Sequence, residues 1–173
     1  IEGVNILTTA TGLPLAGGTM TGDLLLGSAT SDTSSIVLND SALADEKWSG
    51  TTVKGTAGAT LAVGDLCYLA STGKWLLMDG ILDGTDTGFD KMVGICVDAS
   101  TDTNPTEMLV DGLIASAAFP AFTVASAVYA SDTAGDLVVA QPSTSNFAIR
   151  IMGYAMSATV LHFRPSNDYI VHV

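Results

Sequence analysis

From residue 51 onward the apolar residues fall in short runs of two to about ten, each closed by Gly, Asp, Asn, Ser or Pro, and helical periodicity is almost absent. Runs of this kind suit strands and turns, because a helix needs an apolar stripe recurring every three to four residues. The pattern predicts strands over 36–38, 51–55, 66–70, 74–78, 92–97 and 107–115. Further strands are expected over 127–130, 136–140, 148–156, 159–163 and 169–173. Only residues 40–49 are open to a helical turn or a loop. Many short strands at close spacing point to an all-β fold, either a compact β-barrel or a β-sandwich.

A boundary is expected near residue 50. Residues 1–49 contain a Gly/Thr-rich element and the Ser-rich stretch Ser28–Ser35, with little capacity to form a core. They read as an extended N-terminal arm or oligomerisation segment ahead of a compact head, residues 50–173. Within the arm, Gly17, Gly18, Gly22 and Gly27 allow closely spaced turns. Leu13, Leu15, Met20, Leu24 and Leu26 lie between or beside them, and so short a segment cannot bury these side chains alone. Copies from neighbouring chains would bury them, so these five are the candidate oligomer contacts.

The head carries an internal duplication, with halves over about 51–112 and 113–173. Val63, Cys67 and Tyr68 align with Val124, Val128 and Tyr129 at an offset of 61. Gly73 then meets Gly135 and Gly94 meets Gly153. Each half would supply a strand, a Gly-containing hairpin, a second strand and then a buried strand with a central Gly. Such a glycine marks a bulge or a close backbone approach.

Composition narrows the function. Charged residues make up 14% of the chain, against roughly 25% in an ordinary domain, while 47% is hydrophobic. Other subunits covering part of the surface would account for that imbalance. Eighteen acidic residues against six scattered basic ones give a net charge of −12, which argues against nucleic acid as a partner. No apolar run reaches the length of a membrane span, so no membrane insertion is expected. A secretory signal is also missing, and the chain opens at Ile1 rather than Met, as a trimmed, processed or partial chain would. Cys67 and Cys96 sit in apolar runs and read as small core residues, with a disulfide between them neither required nor excluded.

Catalytic and metal motifs are absent, and no cofactor is expected. The two histidines, His162 and His172, have only Asp168 as a carboxylate near both in sequence. Asp79, Asp83, Asp86 and Asp90 form a glycine-rich acidic loop that departs from the EF-hand spacing; a solvated hairpin loop is favoured over a calcium site. Glycan hydrolysis would require two carboxylates flanking a groove, and no pair stands out. Trp75, Tyr68, Tyr129 and Tyr154 fall inside expected strands, as core or subunit contacts. Trp48 and Tyr169 fall outside the densest strands and are the candidates for a sugar-stacking or docking surface.

The stretch Pro14-Leu-Ala-Gly-Gly-Thr-Met-Thr-Gly-Asp23 resembles an element that recurs in bacteriophage tail fibres and related virion proteins. Residues 150–173 are similar to the C-terminal domain of fibre-like structural proteins of aquatic phages. Gly64-Asp-Leu-Cys-Tyr-Leu-Ala-Ser71 also resembles phage head-decoration proteins. The resemblance implies a non-enzymatic virion structural protein: a homotrimeric fibre or spike, assembled in the host cytoplasm and carried on the particle surface. Its partners would be its own copies, other capsid or tail proteins, and a host surface glycan or receptor. The alternative is a capsid decoration (cement) protein that stabilises the head, and a minor one is a glycan-degrading spike enzyme.

Overall fold

The computed structural model describes residue 38, residues 43–82 and residues 88–173. The candidate contacts Leu13, Leu15, Met20, Leu24 and Leu26 lie outside these, as does most of the expected strand over 36–38. Among the described residues there are eleven strands and no helix: β1 (Trp48–Ala57), β2 (Leu66–Leu69), β3 (Lys74–Leu77), β4 (Val93–Cys96), β5 (Pro105–Ala115), β6 (Ala127–Ala130), β7 (Leu137–Val138), β8 (Phe147–Ile149), β9 (Ile151–Ala155), β10 (Val160–Phe163) and β11 (Ile170–His172). The fold is all-β. Nine strands make one large mixed sheet, and β8 and β11 pair separately.

The longest pairing joins β1 and β5, antiparallel from Trp48↔Ile114 to Thr56↔Pro105. Between Thr51↔Asp111 and Thr52↔Leu109 the register skips Val110, a β-bulge. At its far end β1 pairs in parallel with β3 through Thr56↔Lys74 and Ala57↔Trp75. Since β3 pairs with β2, β2 with β4, and β4 with β5, the pairings close into a circuit of five strands. One buried residue from each of these strands (Ala57, Cys67, Trp75, Cys96 and Met108) joins Leu61 in a separate apolar cluster. That cluster fills the ring. Alternation along each strand turns Leu66, Tyr68, Ile95 and Leu109 the other way, into the main core. Both faces are therefore buried, which is why Leu-Cys-Tyr and Val-Gly-Ile-Cys read as unbroken apolar runs.

The rest of the large sheet grows from the end of β5. There β10 pairs through Val160↔Ala115 to Phe163↔Gly112, followed by β9, β6 and β7 in order. The pattern β3-β2-β4 thus recurs as β7-β6-β9: a hairpin whose first strand takes a third strand on its other edge. Equivalent residues meet in both. Cys67 faces Gly94, and Val128 faces Gly153. The aligned glycines Gly73 and Gly135 both adopt positive φ, +78° and +89°, in the hairpin turns. Val128, Met152, Leu161 and Phe163 enter the same core as Leu66 and Ile95. Backbone hydrogen bonds tie the two patterns together, with Leu66 N–H donating to Gly135 O at 2.7 Å and Gly135 N–H to Met78 O at 2.8 Å.

Strand positions differ from expectation in three places. β1 begins at Trp48 rather than Thr51, because Glu46 N–H and the Lys47 carbonyl already bond Ala115. The single strand expected over 148–156 is divided at Arg150 into β8 and β9, which pair with different partners. The strand expected over 136–140 shrinks to Leu137–Val138. Within the region open to a helical turn, Asp45 and Glu46 form a turn.

Candidate functional site

After β10 the chain passes Pro165, which has no N–H to continue a ladder. Ser166 N–H nevertheless reaches Ile151 O at 2.8 Å. The Ser166 hydroxyl then closes a short turn, accepting from Asp168 N–H at 3.1 Å. That turn presents Tyr169. The Tyr169 ring packs on Phe89 with centroids 5.8 Å apart, and 39% of the residue remains exposed.

Tyr169, Tyr129 and Ile170 border a groove of about 220 Å³ whose floor includes Ile149 and Ile151. Gln141, Ser166 and Asp168 add polar groups at its margin. Aromatic faces beside a few hydrogen-bonding groups match what a sugar ring presents, apolar C–H faces edged by hydroxyls. Two of the lining residues, Tyr169 and Ile170, are themselves exposed large hydrophobics. Of ten large hydrophobic residues exposed among the described residues, eight lie beyond residue 120, including Tyr154, Met156, Ile170 and Val171. Among the described residues the exposed apolar surface thus lies mostly beyond residue 120.

The two aromatic candidates are not brought together. Trp48 opens β1, opposite Ile114, and packs half-buried against the main core, whereas Tyr169 stands in the groove. Trp75 and Tyr68 are core residues, as expected from their strands; Tyr154 is 49% exposed. Tyr129 was legible only as a strand residue, and its place beside Tyr169 depends on the long-range β6–β9 pairing.

A second cavity, about 280 Å³, lies where the two hairpin patterns meet and is lined by Gly64, Asp65, Phe119, Pro120 and Asp136. It brings together a pair of carboxylates that the sequence did not single out. Burial pushes the Asp65 carboxyl up, and the Asp136 charge adds to this. A hydrogen bond from Ala62 N–H to Oδ2, at 2.8 Å, acts in the opposite direction. His162 faces Asp111 rather than Asp168, with Nε2 4.0 Å from Oδ1. His172 has its Nδ1 buried without a hydrogen-bond partner among the described residues.

In the acidic loop, residues 83–87 lie outside the described residues. Asp79 accepts from Ile81 N–H at 3.0 Å, and Asp90 pairs with Lys91 at 3.0 Å, which holds its carboxyl below the usual range. Both carboxylates thus make local turn or surface contacts. Among the described residues no group of three or more His, Cys, Asp or Glu converges as metal ligands. Cys67 and Cys96 are both free thiols, buried in the ring.

No family model, no curated protein and no solved structure matches the chain.

Proposed function

We propose that the chain is a non-enzymatic structural protein of a bacteriophage particle, a trimeric fibre or spike whose β head faces outward for surface attachment. The observation that carries the attachment role is the groove at Tyr169, an aromatic, partly polar recess bordered by the exposed Tyr169 and Ile170. The virion assignment rests on the resemblance of residues 14–23 and 150–173 to phage fibre proteins. In this reading the arm supplies Leu13, Leu15, Met20, Leu24 and Leu26 to a threefold contact, and the ligand is a host surface glycan or receptor.

The head in this reading is a compact barrel-like fold produced by internal duplication. Support comes from the recurrence of the hairpin-plus-strand pattern and from the matched pairs Cys67–Gly94 and Val128–Gly153. The alternative, a capsid decoration protein, would use the same exposed face against the shell and draws on the resemblance of residues 64–71. For the minor enzymatic alternative, Asp65 and Asp136 are the carboxylates to test.

The attachment role is tested by binding of the purified chain to host cells and to a glycan panel, comparing wild type with Tyr169→Ala. Binding that falls several-fold in the variant supports it. Undiminished binding, or none by the wild type, counts against it.

A further inference from the structure

The chain carries 18 acidic residues and six basic ones, yet three of the six converge on one cavity. Lys91, Arg150 and Arg164 line a recess of about 360 Å³ together with Val110, Asp111 and Asn167. Val110 is the residue that the β1–β5 bulge leaves out of register, so an irregularity of the longest strand pairing helps shape the wall.

Arg150 is the least expected member. It is only 6% exposed, and its bonds among the described residues go to main-chain carbonyls: Nε to Ser166 O at 2.7 Å, Nη1 to Phe89 O at 2.9 Å and to Lys91 O at 3.4 Å. These contacts fix the planar group and tie the 88–91 and 164–168 segments to the sheet. They do not neutralise it. Burial lowers its affinity for the proton without removing the charge. Lys91 pairs with the exposed Asp90, and Arg164 stands 3.9 Å from Asp111, which His162 also approaches. Among the described residues Asp111 is thus the only carboxylate lining the recess, set against three cations.

We propose that this cavity is a binding site for an oxyanion group (carboxylate, sulfate or phosphate) carried on a small polar molecule. A buried guanidinium held rigid by carbonyls is pre-organised to present its remaining N–H groups to such a group. Arg164 would leave Asp111 to close over the anion, and Asn167 would add a neutral donor. The cavity volume falls in the lower part of the range for small-molecule sites, which suits a ligand about the size of a single acidic sugar. The site is separate from the Tyr169 groove: Ile149 and Ile151 line the groove, whereas Arg150 between them lines the cavity. The proposal does not depend on the virion reading.

The chain has two arginines, so their side-chain Nε–H signals can be followed individually in a nitrogen-15 NMR spectrum. Glucuronate, inorganic sulfate and inorganic phosphate would each be titrated at constant ionic strength against chloride. The expected result is a saturable shift of both signals in the millimolar range or below. Arg164→Gln, at an exposed position, should weaken binding about tenfold, the loss of one charge-assisted contact. Tighter binding of glucuronate identifies an acidic sugar as the ligand class, and tighter binding of sulfate or phosphate identifies a free inorganic anion. Shifts that chloride reproduces, no shift with any anion, or an Arg164→Gln variant that binds as well as wild type would each overturn the proposal.

Discussion

Cys67 stands directly opposite Gly94 where β2 meets β4, and the pair that aligns with them, Val128 and Gly153, stands opposite where β6 meets β9. In both places a glycine in a buried strand leaves room for something to approach. At Gly94 the neighbours are the Met108 side chain and the Trp75 ring; at Gly153 they are the backbone carbonyl of His162 and Phe163 Cα.

Gly153→Ala should therefore be costly, because its Cβ would overlap the His162 carbonyl oxygen and force β9 away from β10. A loss of about 1–3 kcal/mol is expected from overpacking at such a site. Gly73→Ala has open space around its Cβ and should lose only about 1–2 kcal/mol, from the left-handed backbone. Urea denaturation of both variants gives the comparison, and equal, negligible losses would contradict this packing.

Trp75→Ala should be the most damaging single truncation in the ring. Trp75 is 1% exposed and its indole lies over Gly55, so no neighbour can easily fill the space. Large-to-small core changes of this kind cost about 3–5 kcal/mol. Calorimetry should show a large fall in Tm with Trp48 fluorescence retained at low temperature.

Cys67 and Cys96 should be inert to a thiol reagent at pH 8 until the protein unfolds. Burial, the first cause for both, pushes each thiol above its usual range, so the reactive thiolate is scarce. Reaction of both thiols within the dead time of native-state mixing would refute their place inside the ring.

Asp65→Asn should stabilise the chain at neutral pH. The folded state holds the Asp65 proton more tightly than the unfolded state does. Stability therefore falls as pH rises from the unfolded value, 3.8, through the raised folded value, and the penalty persists above it. An asparagine oxygen can still accept from Ala62 N–H without bearing charge. The gain in Tm should be largest near pH 7 and vanish toward pH 3.5; a gain independent of pH would point to another cause.

In the proposed trimer, Leu24→Asp should dissociate the oligomer and leave the head folded. Full burial of an apolar side chain is worth about 1.5–3 kcal/mol, so five per chain can hold three arms together. Sedimentation gives the mass and circular dichroism the fold. An unchanged assembly mass would count against this contact.

Much of the fold was readable because burial on both faces makes runs such as Leu66–Leu69 and Val93–Cys96 continuous and short. Gly73 and Gly135, which align in sequence, both take positive φ in their hairpin turns, where the pattern places turns. What local pattern could not disclose was which edges meet. The β1–β5 ribbon joins residues 49 to 66 positions apart, and nothing near Thr51 signals the bulge that it meets at Val110. Arg150 sits in an apolar run that reads as one strand, so the break there follows from its carbonyl contacts to Phe89 and Ser166. Tyr169 was legible as a surface aromatic, but the groove beside it was not, since Tyr129, Ile149 and Ile151 converge only through tertiary pairing.

The central claim is that the chain is carried on the surface of a virus particle. Gold-labelled antibody raised against residues 50–173 and viewed on intact particles by electron microscopy tests it most directly. Label is expected on particles, confined to one pole for a fibre or spike. Label spread over the shell would favour the decoration role, and particles that carry no label at all would contradict the claim.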